Sequence, residues 1–296
     1  MIMNESNQKT LPIAALLLGA AIWGVLWYPY RLLEGYGMSG EIATTITFCI
    51  ALLLGIIFFR KEIQFSSIFN GKAHLLFWIG FCAGWSNLAY ILGMLNGEVM
   101  RVLLLFYLAP IWTILFSRIL LSEQLSIHGY FVIMLSFAGV VTMLWQPGSD
   151  LLMPISYGEW LGMVGGFMFA LMNVLTRKNQ FHNVQLKSMA IWLGVTVIGL
   201  VCSLAIGSPL TLPYDSFNPW LFLAGIGLVL FVLSIVLQYG LTRMPANQAI
   251  VILLFELIVA ALAAYFLVNE VLSPMEWVGG AMIVSAGLFS TRINRA

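Results

Sequence analysis

Long apolar runs such as "HLLFWIGFCAGWSNLAYILGML" and "WLFLAGIGLVLFVLSIVLQYGL" recur along the whole chain. Each approaches the roughly 20 residues that a helix needs to cross a hydrocarbon core. Lipid admits only structures that satisfy their own backbone, which means helices and closed barrels. Barrel strands alternate apolar and polar residues, and these runs do not. Composition agrees: 61% of residues are hydrophobic and 8% are charged, against about 25% charged in a soluble domain. The chain is expected to be an all-α membrane protein.

Clusters of charge, Pro, Gly and Asn, such as "RKEIQFSSIFNGK", "TRKNQFHNVQLK" and "GSPLTLPYDSFNP", mark the breaks between runs. They divide the chain into ten expected spans: 11–33, 40–59, 73–95, 98–121, 127–145, 157–177, 186–206, 219–241, 246–268 and 274–292. The first run starts at Leu11 without a small-residue cleavage site, and so reads as a span rather than a signal peptide. With the N-terminus inside, Lys9, Arg60, Lys61, Lys72, Arg118, Arg177, Lys178, Lys187, Arg243, Arg292 and Arg295 fall at inner ends. Only Arg31 and Arg101 fall outside. This bias puts both termini in the cytoplasm, as expected for a multi-pass protein of a bacterial inner membrane.

The chain repeats itself. "LLFYLAPIWTILFSRILLSEQLSIHGYFVIMLSFAGV" from Leu104 and "LLFELIVAALAAYFLVNEVLSPMEWVGGAMIVSAGL" from Leu253 share Leu-Leu-Phe, an apolar run, Glu, Leu-Ser, an aromatic and a closing Ala-Gly. Upstream, "GAAIWGVLWYPYR" from Gly19 lies on "GGFMFALMNVLTR" from Gly165, which pairs Trp23 with Phe169 and Arg31 with Arg177. Tyr90 falls on Tyr239, and Tyr107 on Glu256. The expected units are two five-helix halves, 11–145 and 157–292. Five is odd, so the halves are inverted, an arrangement found in transporters with a midplane site.

These paired segments resemble the EamA repeats of the drug/metabolite transporter superfamily. "LAPIWTILFSRILLSEQLS" is close to the family signature, with Pro110 and Glu123 in the usual places, whereas Val259 stands where the second copy would carry proline. The resemblance covers roughly 11–292. It implies ten helices, with spans 5 and 10 as scaffold and spans 1, 3, 4, 6, 8 and 9 around a cavity. It also implies transport of amino acids, other small metabolites or drugs, often outward.

Glu256 is the one polar residue between Ala249 and Val268. A mid-membrane charge costs at least ~2.5–3.5 kcal/mol and marks a functional site by default. It is expected to bind a cationic group or carry a proton, opposite Tyr107. The other candidate substrate contacts are Trp23 and Trp27 on span 1, and Trp85, Asn87 and Tyr90 on span 3. Asn173 on span 6, Gln238 and Tyr239 on span 8, and Gln248 on span 9 complete the cavity set. Aromatics near a carboxylate suit an ammonium group. Arg101 could receive a substrate carboxylate, pair with Glu98 or reach the headgroups.

Two substrate classes stay open: an amino acid or similar zwitterion, and a purely cationic amine that shares Glu256 with a proton. A basic side chain in the cavity would favour the first, and its absence the second. His74, His128 and His182 read as surface residues, and the scattered Cys49, Cys82 and Cys202 as small hydrophobes. No cofactor, metal or nucleic-acid partner is expected; the partners are a small solute, lipid and a possible coupling proton. With one deep ionisable group, an intramembrane enzyme lacks its pair of catalytic groups. A membrane scaffold is the remaining alternative.

Overall fold

The computed structural model describes residues 5–61, 63, 68, 69, 71–96, 99–144, 154, 156–206, 218–268 and 273–289. Among them every regular element is a helix: α1 (Glu5–Gly35), α2 (Gly40–Phe58), α3 (Ala73–Asn96), α4 (Val99–Phe106), α5 (Ala109–Leu120) and α6 (Ile127–Leu144). Then follow α7 (Tyr157–Lys178), α8 (Val184–Ile206), α9 (Asn218–Arg243), α10 (Ala246–Leu253), α11 (Phe255–Val268) and α12 (Pro274–Phe289). Among the described residues, seven helices are long and apolar enough to cross a membrane. Three of the expected spans hold shorter apolar helices, at Ala109–Leu120, Ile127–Thr142 and Trp277–Phe289.

Two expected spans are interrupted. Pro110 lacks the N–H that would reach the Phe106 carbonyl, and its ring crowds that carbonyl. The chain therefore tightens through Tyr107 and Leu108, where Leu108 N–H donates to Leu105 O at 3.3 Å and Ile111 N–H to Leu108 O at 2.9 Å. The expected 98–121 helix becomes α4 and α5. The expected 246–268 helix breaks at Leu254, where Leu257 N–H donates to Leu254 O at 3.1 Å. No proline explains the second break. The two breaks fall close to each other in the repeat, at Tyr107 and Leu108 in the first copy and two residues before Glu256 in the second.

Packing follows the same pairing. α1 lies on α9, and α7 on α3; α3 lies on α8, and α9 on α2. α1 also touches α10 and α11, while α7 touches α4 and α5. α2 and α8 pack on each other. There Trp192, wholly buried, lies against Gly55 and donates from Nε1 to Ser234 Oγ at 2.8 Å. α6 and α12 pair chiefly with each other at the margin, with Gly139 close to the Gly279 carbonyl. Their position agrees with the scaffold role that the resemblance implies for spans 5 and 10.

Glycines let backbones cross where the site forms. A Cβ on Gly24 of α1 would sit 2.8 Å from Glu256 O and 2.8 Å from Val259 Cβ. A Cβ on Gly166 of α7 would run into the Phe106 carbonyl. Each break is thus covered by the first helix of the other half. α7 is started by Ser156, whose Oγ accepts from Glu159 N–H at 3.2 Å. The fastening of α10 to the first half is polar: Ser117 Oγ donates to Asn247 Oδ1 at 3.1 Å, and Asn247 Nδ2 to Glu123 Oε2 at 3.4 Å.

Candidate substrate site

A central cavity of about 80 Å³ lies between the two breaks. That is room for several waters or the polar head of a small solute. Glu256, in the first turn of α11, puts its carboxyl on the wall. Its neighbour is Tyr107, whose hydroxyl hydrogen-bonds the carboxyl across from the other break, and Tyr90 is close enough to feel the same charge.

Aromatic rings from Trp23, Phe48, Tyr90, Phe106 and Phe169 share the wall with the carboxyl. Trp23 comes from α1 and Phe169 from α7, the pair that the repeat aligns. Phe106 packs against Tyr90 at 5.1 Å and against Phe169 at 5.4 Å between ring centroids. Polar edges face the same space from Asn87, Asn173, Gln238, Ser86 and Ser234. Asn173 and Gln238 are about 1% and 2% exposed. Neither amide atom of Asn173 has a protein partner, nor does Gln238 Oε1. Leaving such groups unpaired costs about 1–3 kcal/mol each, so they suit a ligand that brings its own donors and acceptors. The described wall holds no Lys or Arg.

Of the residues singled out from sequence, Glu256, Trp23, Asn87, Tyr90, Asn173 and Gln238 come together on this wall, with Tyr107 directly behind Glu256. The structure does not bring Trp27, Trp85, Tyr239 or Gln248 to it. Trp27 stacks edge-on with Tyr28, and Tyr239 lies under the Arg243 guanidinium at 3.9 Å. The Arg101 side chain lies outside the described residues. Phe48 and Ile191 reach the wall from α2 and α8, which were not expected to contribute. They are apolar in apolar helices and carry no signal. Phe169 did carry one, its alignment with Trp23. His182, read as a surface residue, is buried; its Nδ1 lies 2.8 Å from Asn179 Oδ1. Among the described residues no cluster of His, Cys, Asp and Glu could hold a metal.

The family model of EamA-like transporters matches the chain twice, over residues 10–145 and 156–292. The chain belongs to the EamA-like transporter family. This multi-pass membrane protein is also similar to an uncharacterized transporter of Archaeoglobus fulgidus, 28% identical over 205 residues, which cover 69% of this chain and 71% of that one. A protein known from a crystal structure superposes with a TM-score of 0.72 at 17% identity, covering 93% of this EamA-like chain and 97% of its own. That likeness concerns the fold alone.

Proposed function

We propose that this EamA-like protein is a secondary transporter that carries a small amine-bearing organic solute through the central cavity by alternating access. The observation that carries the reading is Glu256. It is a carboxylate on a cavity wall in the middle of an apolar protein, with a phenol beside it and aromatic rings around it. An ammonium group would meet the charge and the ring faces together, and the amides of Asn173 and Gln238 would hold the rest of the solute. Two inverted five-helix halves with ten crossings are consistent with the paired packing of the helices and with the double match to the family. The cytoplasmic placement of both termini rests on the bias of basic residues.

Between the two substrate classes, the absence of Lys or Arg from the described wall favours a solute without a carboxylate. A cationic amine needs only Glu256, which could then pass between substrate and proton. A zwitterion would have to place its carboxylate against amide and indole N–H groups. The test is a thermal-shift screen of the purified protein with amino acids, polyamines and quaternary amines. Uptake into proteoliposomes with and without a pH gradient follows. Stabilisation by amines alone supports the reading; stabilisation only by compounds without an amine sinks it.

A further inference from the structure

α7 and α9 end side by side below the cavity, and four hydrogen bonds fasten them. Arg177 Nη1 donates to the Thr242 carbonyl at 2.7 Å, and Gln180 Nε2 donates to the same oxygen at 3.0 Å. From the first turn of α8, Lys187 Nζ donates to Thr176 O at 3.1 Å and to Thr242 Oγ1 at 2.9 Å. Asn173 is one turn before Thr176, and Leu241 directly precedes Thr242; both are in the cavity wall. The fastening is therefore the floor of the site.

Lys187 is 0% exposed. Its recorded acceptors are a carbonyl and a hydroxyl, and neither is a carboxylate. Arg177 and Arg243 are close enough to repel it. The helix C-termini favour a cation there, but carbonyl dipoles replace the hydration of an ammonium only in part. We propose that Arg177 and Gln180 form a latch that closes this end of the cavity, and that the buried charge of Lys187 makes it let go when substrate passes. The proposal rests on the transport reading above.

A buried charge makes such a latch reversible. When α7 and α9 part, water reaches Lys187, and its hydration offsets the hydrogen bonds that are lost. An apolar residue would gain nothing from opening, and an ion pair would hold more tightly. Two arrangements close in free energy are what a carrier needs in order to alternate.

The test uses purified full-length protein with Cys49, Cys82 and Cys202 replaced by alanine, and maleimide labelling as the readout. Leu241→Cys reports the latch end. Met94→Cys reports the other end, since Lys72, just before α3, lies over the Phe181 ring at the latch end and Met94 is at the far end of α3. Gln180→Ala, alone and with Arg177→Ala, is expected to raise labelling at Leu241→Cys by at least ~3-fold, as befits one or two lost hydrogen bonds. Labelling at Met94→Cys should fall at the same time. Lys187→Met should slow labelling at Leu241→Cys. Unchanged rates, or a rise at both reporters together, would overturn the proposal. Gln180 is exposed, so the Gln180→Ala arm decides even if Lys187→Met does not fold. Ligand binding by Glu256→Gln is read separately, so the two proposals fail independently.

Discussion

Glu256 and Tyr107 face each other from two helix breaks, and each supports a distinct prediction. Glu256→Gln keeps the shape of the carboxyl and removes its charge. Loss of a desolvated charge pair costs about 2–5 kcal/mol, so an amine ligand found in the screen should bind at least ~30-fold more weakly. Wild-type affinity in that variant would reduce Glu256 to a structural hydrogen-bonder. Tyr107→Phe keeps the buried ring and removes the donor. The ligand-free protein is expected to lose about 1–3 kcal/mol in a denaturation experiment, the cost of a buried group left unpaired. Glu256 was legible because one carboxylate in an apolar run is conspicuous. Lys187 was not, since a lysine in a basic loop reads as part of the charge bias, and only the folded chain shows that no water reaches it.

Elements that cross closely are the next scale. Gly166→Ala would force a methyl group into the Phe106 carbonyl, and Gly194→Ala would do the same at Gly80. Backbone cannot move aside as a side chain can, so each should cost roughly 1–3 kcal/mol or prevent folding. A Cβ on Gly225, inside α9, would meet nothing within 4 Å. Gly225→Ala should therefore be neutral or stabilising, by up to about 1 kcal/mol. Thermal melts of the three variants separate the cases. On the marginal pair α6 and α12, the wholly buried Ala286 allows another comparison. Ala286→Leu is expected to lower the melting temperature while leaving ligand affinity within about 2-fold, because overpacking is a local strain. Neither break was read from the sequence, where 98–121 and 246–268 stand as single spans: Pro110 explains the first once the fold is known, whereas Leu254 and Val259 look like continuous helix.

At the scale of the whole molecule, the orientation can be checked from outside. If the basic residues have set it, Tyr36→Cys, between α1 and α2, reacts with an impermeant thiol reagent in intact cells. Lys178→Cys, at the end of α7, does not. Both side chains are exposed in the structure, so accessibility does not confuse the result. The repeat that was visible in the sequence accounts for the paired helix contacts, but it conceals a difference. The spacing that sets Arg31 against Arg177 sets Glu41, in the first turn of α2, against Lys187 in the first turn of α8. Both are buried, and they carry opposite charges. On the proposed alternating-access reading, the two ends of the cavity would thus differ in the charge that lies at them. If the proposed alternating access holds, the empty protein has no reason to wait equally on both sides. The gradient still decides which way net flow runs, but the resting preference decides from which side the carrier saturates first. Half-saturation concentrations measured from the two faces of a proteoliposome should therefore differ, and Glu41→Gln should change their ratio.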